Sequence, residues 1–280
     1  MKYKILIDSI SNFNSTELNN ENVVVESIPL ILRVDGVDYI DDGKTNTDEI
    51  IDRMTEDKKN SIPASTACPS PKDYFDRYEG ADRYFVITVS QKVSGSYNSA
   101  NVAKNMLDHP EHVCLIDSQT ACGAQELIAR KIVEGINEGK SFEELCEIGE
   151  KAKSEVNILF YLGGFNTLIR MGRVSKLVGS IASILKIKPL GIAKEGEIRI
   201  LEKIRLFGSY EARLFANIEK FCPDSTGRTC IINYTGADDT NAKKLREVML
   251  ERFNFANIII RKNMAVSSFY SLTGTLMISF

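Results

Sequence analysis

Short apolar runs separated by polar, helix-like segments dominate the first half of the chain. These runs have the length and the β-branched composition of buried strands, and their alternation with helices is typical of a parallel sheet. The pattern predicts an N-terminal α/β unit built on an open, mostly parallel sheet. The predicted strands cover residues 4–7, 23–32, 84–89 and 113–116, and the predicted helices cover 47–54, 71–78, 99–107, 123–138 and 141–156.

The pattern changes near residue 156, where Asn157-Ile-Leu-Phe-Tyr-Leu begins a new strand. Apolar residues at helical spacing between Val174 and Leu185 predict a helix, and strand-like runs flank a further helix over 239–253. We therefore predict an α/β fold of two domains, 1–156 with the open sheet and 157–280 with a mixed sheet and helices. The strands of the second domain are predicted at 157–162, 186–193, 197–204, 229–233, 258–260 and 276–280.

Serine recurs where predicted strands end. The first and fourth strands run into Ile7-Asp8-Ser9 and Ile116-Asp117-Ser118, and the third runs into Val89-Ser90. Ligands of open parallel sheets bind at the carboxyl ends of the strands, so Ser9 and Ser118 are candidate binding residues. The alternative is that they cap the helices that follow.

The loop Ser90-Gln-Lys-Val-Ser94-Gly95-Ser-Tyr-Asn-Ser is rich in hydroxyls and leads directly into a predicted helix. Backbone N–H groups and Ser94 at a helix N-terminus favour an anion. The loop contains no Asp, Glu, His or Cys that could act as acid, base or activating partner. Ser94 and Gly95 therefore predict an anion site, and catalysis is the weaker interpretation of this loop.

A second hydroxyl lies in the Pro/Ser-rich segment 61–71. Pro63 and Pro69 restrict the backbone on either side of Thr66, so its hydroxyl could be oriented with little loss of entropy. The alternative is that this segment is an ordinary linker to the helix at Pro71.

The composition of the chain limits the classes of partner that it is expected to bind. A net charge of −3 and a pI near 5.7 argue against nucleic acid or an anionic membrane as the main partner. The six cysteines include no Cys-x-x-Cys pair, the N-terminal apolar run is too short for a signal peptide, and no span approaches a transmembrane helix. We expect a cytoplasmic protein without stable membrane insertion.

The sequence lacks the residues that several types of binding or catalytic site require. His109 and His112, the two histidines, share one loop that supplies no full set of metal ligands, and they make a Ser-His-Asp triad improbable. The Gly-x-Gly-x-x-Gly pattern is absent, so a nicotinamide cofactor has no support. The sequence predicts no metal and no cofactor.

Neutral donors beside strongly apolar segments suit an amphipathic anion. A buried carboxylate needs several donors, and each buried methylene of an acyl chain contributes about 0.8 kcal/mol. This favours a fatty-acid carrier. Two alternatives stay open: an enzyme (phosphotransferase or hydrolase) in which Asp8 or Asp117 activates a hydroxyl, and a sensor of small anions that uses the same pocket.

The chain resembles the DegV family of bacterial lipid-binding proteins over essentially its whole length. The resemblance rests on the order and spacing of several short motifs. These are Ile7-Asp-Ser9, Ile28-Pro-Leu30 with Asp35-Gly36 and Tyr39, Ser65-Thr66-Ala-Cys-Pro69-Ser-Pro71, Ser90-Gln-Lys-Val-Ser94-Gly95-Ser-Tyr97-Asn-Ser-Ala100, Ile116-Asp-Ser118, Gly172-Arg173-Val-Ser175 and Lys186-Ile-Lys-Pro189-Leu.

The resemblance implies a long-chain fatty acid bound between two domains, with its carboxylate held by Thr66, Ser94 and the amide of Gly95. It also implies a partner, because family members can present the fatty acid to a separate kinase subunit that phosphorylates the carboxylate. Arg173 and Arg205 match basic residues near the carboxylate opening, and the alternative is that they are solvated surface arginines.

The chain departs from the family pattern at four places. Ala67 and Cys68 follow Thr66 where the family often has Ser and a variable residue, and Met171 precedes Gly172-Arg173 where it has a second glycine. Residues 270–274, Tyr-Ser-Leu-Thr-Gly, stand at the family's His-x-Gly-Pro-Gly run, and Tyr234 stands at another usual histidine position.

Overall fold

The computed structural model describes residues 1–56, 62–174, 188–204 and 210–280. Within these ranges, none of the helices has both the length and the apolar composition needed to cross a bilayer. The strands are β1 (Tyr3–Asp8), β2 (Val23–Ile28), β3 (Ile31–Val34), β4 (Val37–Ile40), β5 (Ala64–Ala67), β6 (Arg83–Thr88), β7 (Val113–Asp117), β8 (Ile158–Tyr161), β9 (Lys188–Lys194), β10 (Glu197–Ile204), β11 (Thr229–Tyr234), β12 (Asn257–Lys262) and β13 (Leu276–Ser279). The helices are α1 (Thr47–Glu56), α2 (Pro71–Phe75), α3 (Ser96–Asn105), α4 (Gly123–Asn137), α5 (Phe142–Glu155), α6 (Asn166–Arg170), α7 (Tyr210–Phe221), α8 (Thr240–Arg252) and α9 (Ala265–Ser271).

The first sheet is wholly parallel, with strand order β2-β1-β6-β7. Its central strands β1 and β6 are almost completely buried, which explains their continuous apolar sequences. The helices α4 and α5 pack against one another, and α4 also contacts β1 and β6. The predicted open parallel sheet is therefore confirmed.

A small antiparallel sheet of order β4-β3-β5 was not predicted. The run 23–32 is not one strand, because the chain leaves the parallel sheet at Pro29, which has no N–H to donate. β3 and β4 are joined by Asp35 and Gly36, whose φ values of 53° and 78° suit the tight turn of a hairpin. Part of the predicted loop 61–71 forms β5, which pairs with β3.

The third sheet is mixed, as predicted, with strand order β10-β9-β8-β13-β11-β12. Its strands β11 and β12 are parallel, and the remaining neighbours are antiparallel. All of its strands come from residues 158–279, whereas the other two sheets come from residues 3–117. The division into domains at 156/157 remains a prediction. Most of the helix predicted from Val174 to Leu185 lies outside the described residues.

One apolar cluster collects residues from the antiparallel and mixed sheets and from the segments that follow the strands of the parallel sheet. It includes Leu32 of β3, Val89 just beyond β6, Phe160 of β8 and Met277 of β13, with Phe269 of α9. The other face of the mixed sheet packs in a separate cluster against α7 and α8. This shared cluster therefore lies where the carboxyl ends of the parallel strands meet the other two sheets.

A buried ionic group joins the two halves of the chain. Glu126 of α4 is fully buried, and its Oε1 accepts from Arg130 Nη2 at 2.7 Å and from Arg261 Nη2 at 2.9 Å. Both arginines also pair with Glu17. Because a buried carboxylate is stable only when it is well paired, this group fixes α4 against β12.

Candidate ligand-binding site

A cavity of about 340 Å³ lies within the shared apolar cluster at the carboxyl ends of the parallel strands. This volume falls within the usual range for small-molecule sites. Its wall is mainly aliphatic and aromatic, and includes Leu30, Val89, Phe160, Ile198, Val266 and Met277. Polar groups from Thr66, Ser94, Gly95, Arg173 and Tyr270 also line it. An amphipathic molecule therefore fits this lining better than a wholly polar one.

Thr66 is directed to the cavity by its place in β5. It pairs with Leu32 of β3, which is fully buried, and directly opposed residues of an antiparallel pair share one face. Its hydroxyl Oγ1 lies 2.8 Å from the hydroxyl of Tyr270. The alternative reading of this segment as a mere linker is therefore not supported by its structure.

Ser94 and Gly95 lie on the loop between β6 and α3. Gly95 is the N-cap residue of α3, so the loop presents the helix N-terminus to the cavity. The Ser94 hydroxyl lies 3.0 Å from that of Ser96. A Cβ at Gly95 would lie 3.1 Å from Cys68 Sγ, so the segments that carry Thr66 and Ser94 pack side by side. Their predicted convergence on one cavity therefore agrees with the geometry.

Ser9 and Ser118 are not among the residues that line the cavity. The Ser9 hydroxyl donates to Asp41 Oδ2 at 2.6 Å and accepts from the backbone of Leu30. The Ser118 hydroxyl donates to the carbonyl of Thr120 and accepts from its N–H. Both serines fix loops at the strand ends, so this structure favours a supporting role over direct ligand contact.

Of the two predicted arginines, Arg173 and Arg205, the structure describes only Arg173. Arg173 follows α6 and lines the cavity, although its side chain is exposed. Gly172, at φ 67°, ends the helix in the left-handed conformation that glycine favours, and the backbone N–H of Arg173 then donates to Leu168. Arg173 therefore lies at the edge of the cavity. Arg205 lies outside the described residues.

Three hydroxyl-bearing residues of the lining, Ser267, Tyr270 and Ser271, were not predicted from the sequence. Tyr270 contacts Thr66. It belongs to α9, whose first turn donates the N–H of Val266 to Asp41 Oδ1 at 3.1 Å. The sequence did contain an indication of this role. Tyr270 stands where the DegV family, which the chain resembles, has a histidine, so one polar ring replaces another. The contact with Thr66 spans 204 residues of sequence, and local patterns carry no information about it.

Two buried carboxylates support the site without lining it. Asp8 accepts from the N–H of Val89 at 2.7 Å and from Gln125 Nε2 at 3.0 Å, and Asp41 accepts from Ser9 and Val266. Burial raises the pKa of each to about 6, and these hydrogen bonds oppose the rise. The carboxylates tie β6, α4 and α9 together around the cavity.

The carboxylates considered as activating bases are engaged elsewhere. Asp8 binds Val89 and Gln125, and Asp117 Oδ1 accepts from the N–H groups of Gln91 and Gln119 at 3.1 and 3.2 Å. Burial also raises the pKa of the Cys122 thiol in the cavity wall to about 12, which keeps it neutral at physiological pH. The lining is therefore suited to binding.

The histidine loop lies at the surface, before β7. His109 Nδ1 is 3.1 Å from Glu111 Oε1, and His112 Nε2 is 3.9 Å from the same oxygen. These potential metal-ligating atoms come within 4.8 Å of one another, but none of the three residues lines the cavity. The predicted absence of a metal stays a prediction.

Comparisons with known proteins agree with the fold. The family profile described as "Uncharacterised protein, DegV family" matches residues 2–280. A DegV domain-containing protein of Streptococcus pneumoniae (strain ATCC BAA-255 / R6) is 31% identical over 284 residues, which cover 100% of this chain and 99% of the relative.

Two solved structures are similar over nearly their whole length. The fatty acid kinase (Fak) B3 protein of Streptococcus pneumoniae, loaded with linoleic acid, has a TM-score of 0.89 at 30% identity and covers 100% of this chain and 99% of its own. A DegV family protein from Ruminococcus gnavus, described with vaccenic acid, has a TM-score of 0.87 at 26% identity and covers 99% of each chain.

Proposed function

Because the chain belongs to the DegV family, we propose that it binds one long-chain fatty acid in the cavity where its three sheets meet. The single observation that carries this proposal is the shared lining. Thr66 comes from β5, whereas Ser94 and Gly95 come from the loop before α3, and all three border the same largely apolar space. Relatives of similar fold were crystallised with linoleic and vaccenic acids.

The ligand carboxylate is held by neutral donors. The hydroxyls of Thr66 and Ser94 and the N–H of Gly95 bind it at the N-terminus of α3, where the helix dipole favours negative charge. Tyr270 reinforces this contact. Its hydroxyl lies 2.8 Å from Thr66 Oγ1, so it can donate to that oxygen while Thr66 donates its own proton to the carboxylate.

The acyl chain supplies most of the affinity. Each methylene moved from water into the cavity contributes about 0.8 kcal/mol. A chain of about a dozen buried methylenes therefore outweighs incomplete solvation of the carboxylate, which costs a few kcal/mol. A small anion lacks this contribution, so the apolar wall favours a fatty acid over the small-anion alternative.

We propose that the protein is a carrier and not a catalyst, located in the cytoplasm. The engaged state of Asp8 and Asp117 supports this, since each already accepts backbone or amide hydrogen bonds. A kinase subunit is the proposed partner, because one similar structure is the B3 protein of a fatty acid kinase. Arg173 at the cavity edge, with Arg205, would stabilise phosphate charge or contact that partner.

Native mass spectrometry of the purified protein tests the carrier proposal. The expected result is a mass increase of one long-chain fatty acid per chain, either as purified or after incubation with palmitic acid. Protein that stays empty under both conditions would refute the proposal. Hydrolysis of acyl esters or ATP by the protein alone would instead favour the enzyme alternative.

A further inference from the structure

A phenylalanine in the cavity wall lies directly against a glycine of the neighbouring strand. Phe160 of β8 is paired with Gly191 of β9 in antiparallel register. Directly opposed residues of such a pair project from the same face of a sheet. Here that face is the one that borders the cavity, because Phe160 lines it and belongs to the shared apolar cluster.

The ring of Phe160 occupies the space that any side chain at position 191 would need. A Cβ built on Gly191 would lie 2.0 Å from Phe160 Cε2, 2.6 Å from Cζ and 2.8 Å from Cδ2. These separations are far below van der Waals contact, so the ring lies over the backbone of β9. A side chain at position 191 would force the ring to another position.

The room for such a movement is on the cavity side. Phe160 is only 4% exposed, and the ring of Phe165 lies 6.4 Å from it, centroid to centroid. The opposite face of the same strands is filled by Leu159, Leu190 and Ile192, which are buried in the separate cluster against α7 and α8. A displaced ring therefore moves into the cavity.

We infer that Phe160, held against Gly191, sets the length of acyl chain that the cavity accepts. The inference rests on the proposed fatty-acid binding and adds its specificity determinant. With glycine at 191 the ring lies along the sheet and leaves the cavity long. With alanine the ring takes up space that terminal methylenes would otherwise fill.

Competition among fatty acids of different length tests this inference. Wild-type protein and the Gly191→Ala variant are incubated with an equimolar mixture of myristic, palmitic and stearic acids, and the bound acids are read by native mass spectrometry. Loss of room for two methylenes lowers the ratio of bound stearic to bound myristic acid about tenfold in the variant. Because the readout counts loaded protein only, partial unfolding does not distort it.

Matched variants distinguish an effect of the Phe160–Gly191 pair from a general disturbance of the sheet. Ile192→Val alters the adjacent position of β9 on the other face, so it should keep the wild-type ratio. Phe160→Leu shortens the side chain, and in combination with Gly191→Ala it should restore the ratio toward wild type. Should Gly191→Ala fail to fold, Phe160→Leu alone is expected to raise the share of stearic acid.

The outcomes distinguish this inference from the proposed function. Wild-type protein that binds none of the acids overturns fatty-acid binding itself. Wild-type protein that binds them, together with an unchanged ratio in Gly191→Ala and in Phe160→Leu, overturns only the role of the pair. A changed ratio in Ile192→Val equal to that in Gly191→Ala also overturns it, because the effect would then not depend on the cavity face.

Discussion

The double variant Thr66→Val/Ser94→Ala is expected to bind palmitic acid roughly 100-fold more weakly than wild type. Each substitution removes a hydroxyl donor from a buried carboxylate and preserves the side-chain volume closely. The loss of one donor to a charged group costs about 1–3 kcal/mol, and neighbouring losses need not add. Isothermal titration calorimetry, or competition with a fluorescent fatty acid, measures the dissociation constants.

Ser65→Ala is the matched control for this prediction. Ser65 is the neighbour of Thr66 on β5, but it is exposed and does not line the cavity. Its variant should keep wild-type affinity. Equal affinity in the double variant and in wild type would mean that the carboxylate is bound by other groups, and the assignment of Thr66 and Ser94 would be wrong.

The free energy of unfolding is expected to increase as the pH is lowered from 7 toward 4.5, through the buried carboxyls of Asp8 and Asp41. Burial raises the pKa of each in the folded protein to about 6, above the usual aspartate value of 3.8. In this range the folded state therefore binds more protons than the unfolded state. Protonation of each carboxyl therefore stabilises the folded state. Between pH 4.5 and pH 7 this contribution to the free energy of unfolding falls by about 2 kcal/mol per group, and it is lost as the pH rises through about 6.

Urea unfolding of wild type and Asp8→Asn at several pH values isolates this effect. The stability of the variant relative to wild type should be greater at pH 7 than at pH 4.5, because asparagine is neutral at both. Asp38→Asn is a control whose stability relative to wild type should change with pH in the opposite direction. The reason is that Arg33 lowers the pKa of the exposed Asp38 carboxyl. A stability difference between wild type and Asp8→Asn that is constant with pH would contradict the raised pKa.

The large sheets could be predicted from sequence because their strands are continuous apolar runs. The small sheet could not. Pro29 lies inside one such run, and the break it causes leaves β3 in a different sheet from β2. The residues of β5, Ala-Ser-Thr-Ala, carry little apolar signal, and this strand is stabilised by pairing with β3. Its formation is a tertiary effect that local pattern does not encode.

The candidate site likewise contains residues that the sequence could predict and residues that it could not. Ser94 and Gly95, which line the cavity, could be predicted as candidates because a hydroxyl-rich loop before a helix favours an anion by itself. Ser9 and Ser118 show the same strand-end signal, yet their hydroxyls bind Asp41 and Thr120. Nothing local distinguishes a serine that faces a cavity from one that fixes a loop. The contact between Tyr270 and Thr66 likewise depends on packing between distant segments.

The most direct test of fatty-acid binding is a crystal structure of the protein grown with palmitic acid. We expect elongated density through the cavity beside Phe160 and Met277, with the carboxylate oxygens within hydrogen-bond distance of Thr66 Oγ1 and Ser94 Oγ. A cavity without acyl density, or a chain whose carboxylate lies away from both hydroxyls, would contradict the account.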